Sequence, residues 1–356
     1  MPEPDAPRCL IAAGGTGGHV LPALAVAEAL SARGALVTFA GSPGRAEAQL
    51  VPVAGYELDI FEVVGFPRRP GADLARSLVL AAKAPLACRD ILARRRPDVV
   101  LGGGGYVAGP MVLAAATRRI PVALMEADAH LGLANRLALP FARRVFLAFP
   151  IPGRTSLKYR VTGRPIPASS RAIPRDEARR RFALPLDGPL LVVYGGSQGA
   201  RTLNELVVDA FADGGPLVLH LAGERDFEML RGRVRRDGYR LLPFTHDFGA
   251  ALAAADLALA RAGGSVYELA AAGTPAVLVP YPHATADHQT KNARHFADAG
   301  AALLVPEADV RGVPKVVSSL LADPGRLAKM AAAMRRTARP NAAQEIAGEV
   351  LALAGA

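Results

Sequence analysis

Two glycine-rich turns carry the most legible chemistry in this 356-residue chain. Gly14-Gly15-Thr16-Gly17-Gly18-His19 follows one apolar run, and Gly195-Gly196-Ser197-Gln198-Gly199-Ala200 follows another. Such a turn between a strand and a helix presents backbone N–H groups beside the positive helix end, where phosphate oxygens bind. A single turn of this kind reads equally well as a tight bend, because glycine also serves turns. Two at equivalent places point to a nucleotide or sugar-phosphate site between domains. What is missing narrows the chemistry further. No Gly-Lys dipeptide occurs, so the P-loop is absent. A dinucleotide fingerprint wants an acid at the end of the second strand, and that strand ends at Ala40-Gly41-Ser42. Nicotinamide chemistry is therefore disfavoured. There is no Asp-x-Asp pair to hold a divalent ion against a diphosphate, and the seven His residues lack metal-ligand spacing. The expectation is a site without metal or cofactor.

Those turns need strands before them and helices after them. Cys9 to Ala13 reads as a buried strand, followed by a helix from about Pro22 to Ala32, then a second strand over Leu36 to Ala40. Val99-Val100-Leu101 and Val122 to Met125 continue the series. The pattern restarts at Leu190 to Tyr194, with a helix from about Thr202 and strands at Leu217 to Leu221, Ala255 to Leu259 and Ala276 to Val279. Continuous apolar strands alternating with helices predict parallel sheets covered on both faces, an α/β fold in two halves. The competing arrangement is one large sheet with a long insertion. A hinge is expected near Gly163, in a stretch rich in Pro and Arg, with a helix near Asp176 to Phe182.

Composition sets the wider bounds. A 51% hydrophobic content excludes a disordered chain, and two cysteines cannot build a disulfide framework. The net charge of +10 asks for an acidic partner. Scattered basic residues and 5% aromatics speak against nucleic acid. The uncharged run Leu269 to Ala286 is broken by Gly273, Pro275, Pro280 and Pro282, so no spanning helix is expected there. Met1 to Arg8 lacks the basic start and apolar stretch of a signal peptide, which predicts a cytoplasmic protein.

Four ordered stretches carry a resemblance: Gly14 to His19, Gly195 to Ala200, Arg261 to Glu268, and His288-Gln289-Thr290-Lys291-Asn292-Ala293. Pro97 to Gly102 and Gly104 to Val107 extend it. Together they resemble the MurG family, the membrane-associated N-acetylglucosaminyltransferases of peptidoglycan synthesis, over nearly the whole chain. The resemblance implies the GT-B fold: two Rossmann-like doubly wound domains, here 1–162 plus 339–356 for acceptor and membrane, and 163–338 for the UDP-sugar. The last helix, about Asn341 to Ala354, would return to the first domain. The implied reaction moves N-acetylglucosamine from UDP-N-acetylglucosamine to the muramyl 4-hydroxyl of lipid I, giving lipid II with inversion.

That reaction sets three tasks. His19 is the first candidate for the base, since neutral imidazole accepts a proton near pH 7, and Glu126 is the second. Thr16, Gly17 and Gly18 match family positions at the donor sugar or acceptor side. Ser197 would donate to a phosphate, and Gly263, Gly264, Ser265 and Val266 would bring a helix end to the diphosphate. Glu268 matches the residue that accepts from the ribose hydroxyls, Gln289 the reader of the sugar hydroxyls, and Thr245 the backbone contact to uracil, with Phe244 packing on the ring.

The chain also departs from the family. His-Glu-Gln-Asn becomes Met125-Glu126-Ala127-Asp128, which leaves Asp128 to meet the donor sugar where the family has Asn. Pro167 stands where the family carries a phosphate-binding Arg, and Arg164 is expected to supply that charge. Phe66 to Arg96 mixes apolar residues (Leu74, Leu78, Val79, Leu80, Leu86, Ile91, Leu92) with Arg68, Arg69, Arg76, Lys83, Arg89 and Arg94 to Arg96. That mixture suits the cytoplasmic face of an anionic membrane, where the enzyme would sit peripherally beside other cell-wall enzymes. The rivals are another UDP-sugar enzyme of the same fold, a glycolipid transferase or an epimerase, and a non-catalytic scaffold that binds lipid pyrophosphate.

Overall fold

The computed structural model describes residues 6–65, 71–196 and 199–355. Ser197, Phe66, Arg68 and Arg69 lie outside the described residues, as do the side chains of Leu74, Arg76 and Leu78. The chain divides into two compact units, 1–167 with 340–356, and 168–339. Each has its own sheet, so the single-sheet alternative does not hold.

The first unit contains strands β1 (Arg8–Ala13), β2 (Leu36–Gly41), β3 (Glu57–Ile60), β4 (Val99–Gly104), β5 (Val122–Glu126), β6 (Arg144–Leu147) and β7 (Tyr159–Val161). They pair in parallel in the order β3-β2-β1-β4-β5-β6-β7. Its helices are α1 (Gly17–Ser31), α2 (Ala46–Val53), α3 (Ala72–Arg95), α4 (Ala108–Thr117) and α5 (Leu133–Ala138). The core lies on both faces of the sheet, because strand residues such as Leu10, Ile11, Val100 and Leu101 are fully buried. The chain's final helix completes one of these faces. Its residues Ala343, Ile346, Ala347 and Val350 pack with α1 and toward β4, and Arg144 donates to Glu349 at 2.8 Å.

The second unit contains α6 (Arg175–Arg181), β8 (Leu190–Tyr194), α7 (Arg201–Phe211), β9 (Leu217–Leu221), α8 (Glu224–Arg231), β10 (Tyr239–Leu242), α9 (Phe248–Ala254), β11 (Leu257–Ala260), α10 (Val266–Ala272), β12 (Ala276–Leu278), α11 (His288–Asp298), β13 (Ala302–Leu304), α12 (Val313–Leu321) and α13 (Pro324–Thr337); α14 (Ala342–Ala354) is the returning helix of the first unit. Its sheet runs β10-β9-β8-β11-β12-β13, all parallel. In both sheets the strand order reverses beside the first strand of the unit. Loops leaving the carboxyl ends of the two strands at such a reversal diverge and leave room for a ligand. The reversals fall at β1/β4 and at β8/β11, so each glycine-rich turn sits at one of them.

Two sequence expectations are corrected here. Helix α1 begins at Gly17, five residues before Pro22, which lies inside it. The basic run of α3 is partly neutralised within the unit: Arg94 and Arg95 pair with Asp59, and Arg95 also with Glu57. Ile91 and Leu92 of α3 face the core, whereas Val79 and Leu86 are exposed. Arg179, in the stretch rich in Pro and Arg, is wholly buried; it donates to the carbonyls of Ala254, Pro185 and Gly188 and pairs with Asp256. Both cysteines are buried, and burial pushes each thiol up to about 12, which keeps it protonated. No helix among the described residues is long and apolar enough to cross a membrane.

Candidate active site

In the first unit the turn after β1 leads into α1 with Thr16 as its cap, no side-chain capping bond and no acid in the first turn. The helix end therefore offers its amides and positive dipole to a ligand. His19 is half-buried in that first turn, and its ring lies against the backbone after β4. A Cβ on Gly104 would fall 2.5 Å from His19 Nδ1, and one on Gly105 would fall 2.1 Å from the Gly14 carbonyl oxygen. Both glycines have positive φ, +100° and +75°. Only glycine lets this loop press against the turn that carries His19.

A carboxylate that sequence reasoning missed holds the turn from the other side. Glu47, in the first turn of α2, is fully buried. It accepts from Gly15 N at 2.9 Å, Ser42 N at 3.0 Å and Ser42 Oγ at 2.6 Å. Tyr106 O–H lies 3.3 Å from Ser42 Oγ and donates to it, since that hydroxyl's proton is given to Glu47.

Glu126 ends β5 and is 4% exposed. Its carboxylate accepts from Gly132 N and Asn135 Nδ2, both at 2.9 Å, and from Asp128 N at 3.2 Å. Burial raises its pKa, opposed by the bonds from Gly132 and Asn135. Glu126 thus shapes the loop that carries Asp128, which stays half-buried. Met125, at the family's His position, points into the apolar core. Arg164, expected to meet phosphate, is 8% exposed and donates to Gly18 O at 2.6 Å and Ala127 O at 3.3 Å.

In the second unit the Gly263-Gly264-Ser265 turn leaves β11 and enters α10, with Ser265 as its cap and Glu268 in its first turn, half-buried. Val266 is buried and anchors this turn. Arg261, just before it, donates to Val279 O and Pro280 O and forms a two-pronged pair with Glu307. Burial pushes the Glu307 carboxyl up, but bonds from Arg261 and Thr202 outweigh this and hold it below its ordinary value. Gln289 Oε1 accepts from Tyr281 N at 2.9 Å, which leaves its amide N–H groups to a ligand. Phe244 is 56% exposed, and Thr245 Oγ1 accepts from Asp247 N at 3.1 Å. Among the described residues no cluster of three or more His, Cys, Asp or Glu is placed to hold a metal ion.

Beneath the second glycine turn runs a buried polar chain that the sequence reading also missed. Asn204 Nδ2 donates to Ala222 O at 2.8 Å and to Asp226 at 3.0 Å. Its oxygen must then accept from His220 Nε2, 3.0 Å away, so His220 Nδ1 accepts from Tyr239 O–H at 2.8 Å. One neutral tautomer satisfies every member. Burial pushes the His220 pKa down to about 3, whereas an unfolded histidine titrates near 6.5. Between those values the unfolded chain binds a proton that the folded one refuses. Stability from this group is complete above about pH 6.5 and falls as pH drops toward 3, by up to about 5 kcal/mol. Urea denaturation of wild type and His220→Gln from pH 8 to 4 measures it: the wild-type midpoint should fall more steeply. Parallel slopes would remove His220 as the source.

Two parallel α/β units with ligand loops at their strand-order reversals are the architecture of the GT-B fold class. Residues 9–147 match the glycosyltransferase family 28 N-terminal domain and 190–346 its C-terminal domain. The UDP-N-acetylglucosamine--N-acetylmuramyl-(pentapeptide) pyrophosphoryl-undecaprenol N-acetylglucosamine transferase of Halorhodospira halophila is 42% identical, covering 95% of this chain and 96% of its own. That of Salinibacter ruber is 41% identical over 98% and 97%. The crystal structure of Acinetobacter baumannii MurG is 31% identical with a TM-score of 0.77, covering 97% of this chain and 99% of its own. The chain belongs to the MurG family.

Proposed function

We propose that this chain is a hexosyltransferase that moves N-acetylglucosamine from UDP-N-acetylglucosamine to the muramyl 4-hydroxyl of lipid I, forming lipid II with inversion. The observation that carries the reading is near-full-length identity of about 40% to transferases of that name. The placement of the ordered motifs at both strand-order reversals supports it. The first unit takes the acceptor and the second the UDP-sugar. His19 accepts the acceptor proton. Thr16, Gly17 and Gly18 meet the sugar side, and Asp128 accepts from a donor-sugar hydroxyl. The Gly263–Val266 turn and Ser197 meet the diphosphate, so leaving-group charge falls on backbone dipoles. Glu268 accepts from the ribose, Gln289 donates to the sugar hydroxyls, and Thr245 and Phe244 hold uracil.

The transferase works at the cytoplasmic face of the membrane. Exposed Val79, Leu86, Leu113, Leu133, Leu137 and Phe141 support this, because they lie on α3, on α4 packed against it, and on α5 and the turn after it, which pack against α4. Pelleting with anionic but not zwitterionic vesicles tests that face; no pelleting removes it. For the reaction itself, the test is radiolabelled sugar transfer to a soluble lipid I analogue, beside diacylglycerol and no acceptor. Transfer to diacylglycerol, or donor turnover without acceptor, marks a rival enzyme. Donor binding without turnover marks a scaffold. Glu268→Ala should weaken donor binding by ~1–3 kcal/mol through lost hydrogen bonds; unchanged affinity by calorimetry would place the ribose elsewhere.

A further inference from the structure

The start of helix α1 contains a local contradiction. An α-helix closes each turn with an N–H of residue i donating to the carbonyl of i−4. For Gly18 that donor is residue 22, which is Pro22 and has no N–H. The Gly18 carbonyl therefore lacks a helical partner one residue from His19, beside the turn of the proposed site. An unpaired carbonyl buried there would be costly. The structure fills it from elsewhere: Arg164 Nη2 donates to Gly18 O at 2.6 Å. The same guanidinium reaches Ala127 O at 3.3 Å through Nη1. One side chain thus ties the loop after β1 to the loop after β5, across the intervening strand β4.

We propose that Arg164 is a positioning residue: its buried guanidinium stands in for the amide that Pro22 lacks and fixes the turn that carries His19 relative to the Glu126–Asp128 loop. This replaces the sequence expectation that Arg164 supplies charge to a phosphate. A residue 8% exposed, with both terminal nitrogens given to backbone carbonyls, is spent on the fold of the site. The inference rests on the transferase reading for its kinetic consequence, though not for its structural one.

Pro22 makes the proposal separable from simple destabilisation. Pro22→Ala restores an N–H in the helical position that Gly18 O needs, and so should relieve the dependence on Arg164. Steady-state kinetics with UDP-N-acetylglucosamine and a soluble lipid I analogue, with melting temperatures, are measured for Arg164→Gln, Pro22→Ala and the double variant. Arg164→Gln should lower kcat about 10- to 100-fold, the effect of a small misplacement of a reacting group, with donor KM within about twofold of wild type. Pro22→Ala alone should stay near wild type. The double variant should regain most of the lost kcat and melting temperature. A rise in donor KM with kcat intact would make Arg164 a phosphate ligand and overturn the proposal. So would loss of folding or kcat in Arg164→Gln that Pro22→Ala does not restore. If wild type itself fails to turn over, the functional reading falls, and recovery of melting temperature in the double variant still decides the brace.

Discussion

His19→Ala should lower turnover by about 10²- to 10⁴-fold while donor affinity stays within about threefold, the signature of a lost general base. The expectation follows from where the ring sits. His19 lies in the first turn of α1, half-buried, with its ring bedded against Gly104 and Gly105. Its place is set by backbone on both sides, so truncation removes the imidazole without emptying the core. The proton of a sugar hydroxyl has to leave as the new bond forms, and a neutral imidazole near pH 7 is suited to take it. Glu126 is poorly free to share the task, because its two oxygens already accept from Gly132, Asn135 and Asp128. Stopped assays of labelled sugar transfer, with calorimetry of UDP-N-acetylglucosamine binding, measure both quantities. Turnover within threefold of wild type would remove His19 from the proton transfer.

The fold was legible because parallel strands are buried on both faces and read as unbroken apolar runs. Cys9 to Ala13 and Leu190 to Tyr194 each stand before a glycine turn, and both prove to be the strands at which the sheet order reverses. Helix α1 was placed five residues late because proline is so often the first residue of a helix. Its tolerance in the second turn depends on Arg164, which lies 146 residues away in sequence. No local pattern carries that partner.

The same reason explains which site residues were missed. Motif positions such as Glu268 and Gln289 are adjacent in sequence to the turns they serve. The groups that hold those turns are not. Asn204, His220 and Tyr239 come from three elements, and the only local signal was a histidine within the apolar run Leu217 to Leu221. Met125 was legible as a departure, and its side chain lies in the core. The surplus of positive charge is partly internal. Several of its arginines, Arg95, Arg164, Arg179 and Arg261 among them, hold loops and strand ends together and leave less charge for a surface.

Glu47→Gln should destabilise the first unit by ~2–3 kcal/mol and lower kcat as well, although the two side chains have nearly the same shape. The carboxylate accepts on both oxygens: Oε1 takes Ser42 N and Ser42 Oγ, and Oε2 takes Gly15 N. An amide has a single acceptor oxygen. If that oxygen faces Ser42, the new N–H₂ faces the Gly15 N–H, and the reverse orientation sets it against both Ser42 donors. Either way at least one buried donor is unpaired, at a cost of about 1–3 kcal/mol. The turn cannot relax inward to compensate, because the Gly14 backbone is already so close that a Cβ there would lie 2.3 Å from Glu47 Oε1. It must move outward, and His19 moves with it. Glu47→Ala adds a cavity and leaves three donors orphaned, so it should cost more, ~3–5 kcal/mol. Urea denaturation of both variants gives the stability term, and kcat under saturating donor gives the positional one. A Glu47→Gln protein with wild-type midpoint and wild-type kcat would show that the buried carboxylate does not hold the catalytic turn. A lower midpoint with unchanged kcat would confine Glu47 to folding and leave the support of His19 to other contacts, Gly104 and Gly105 among them.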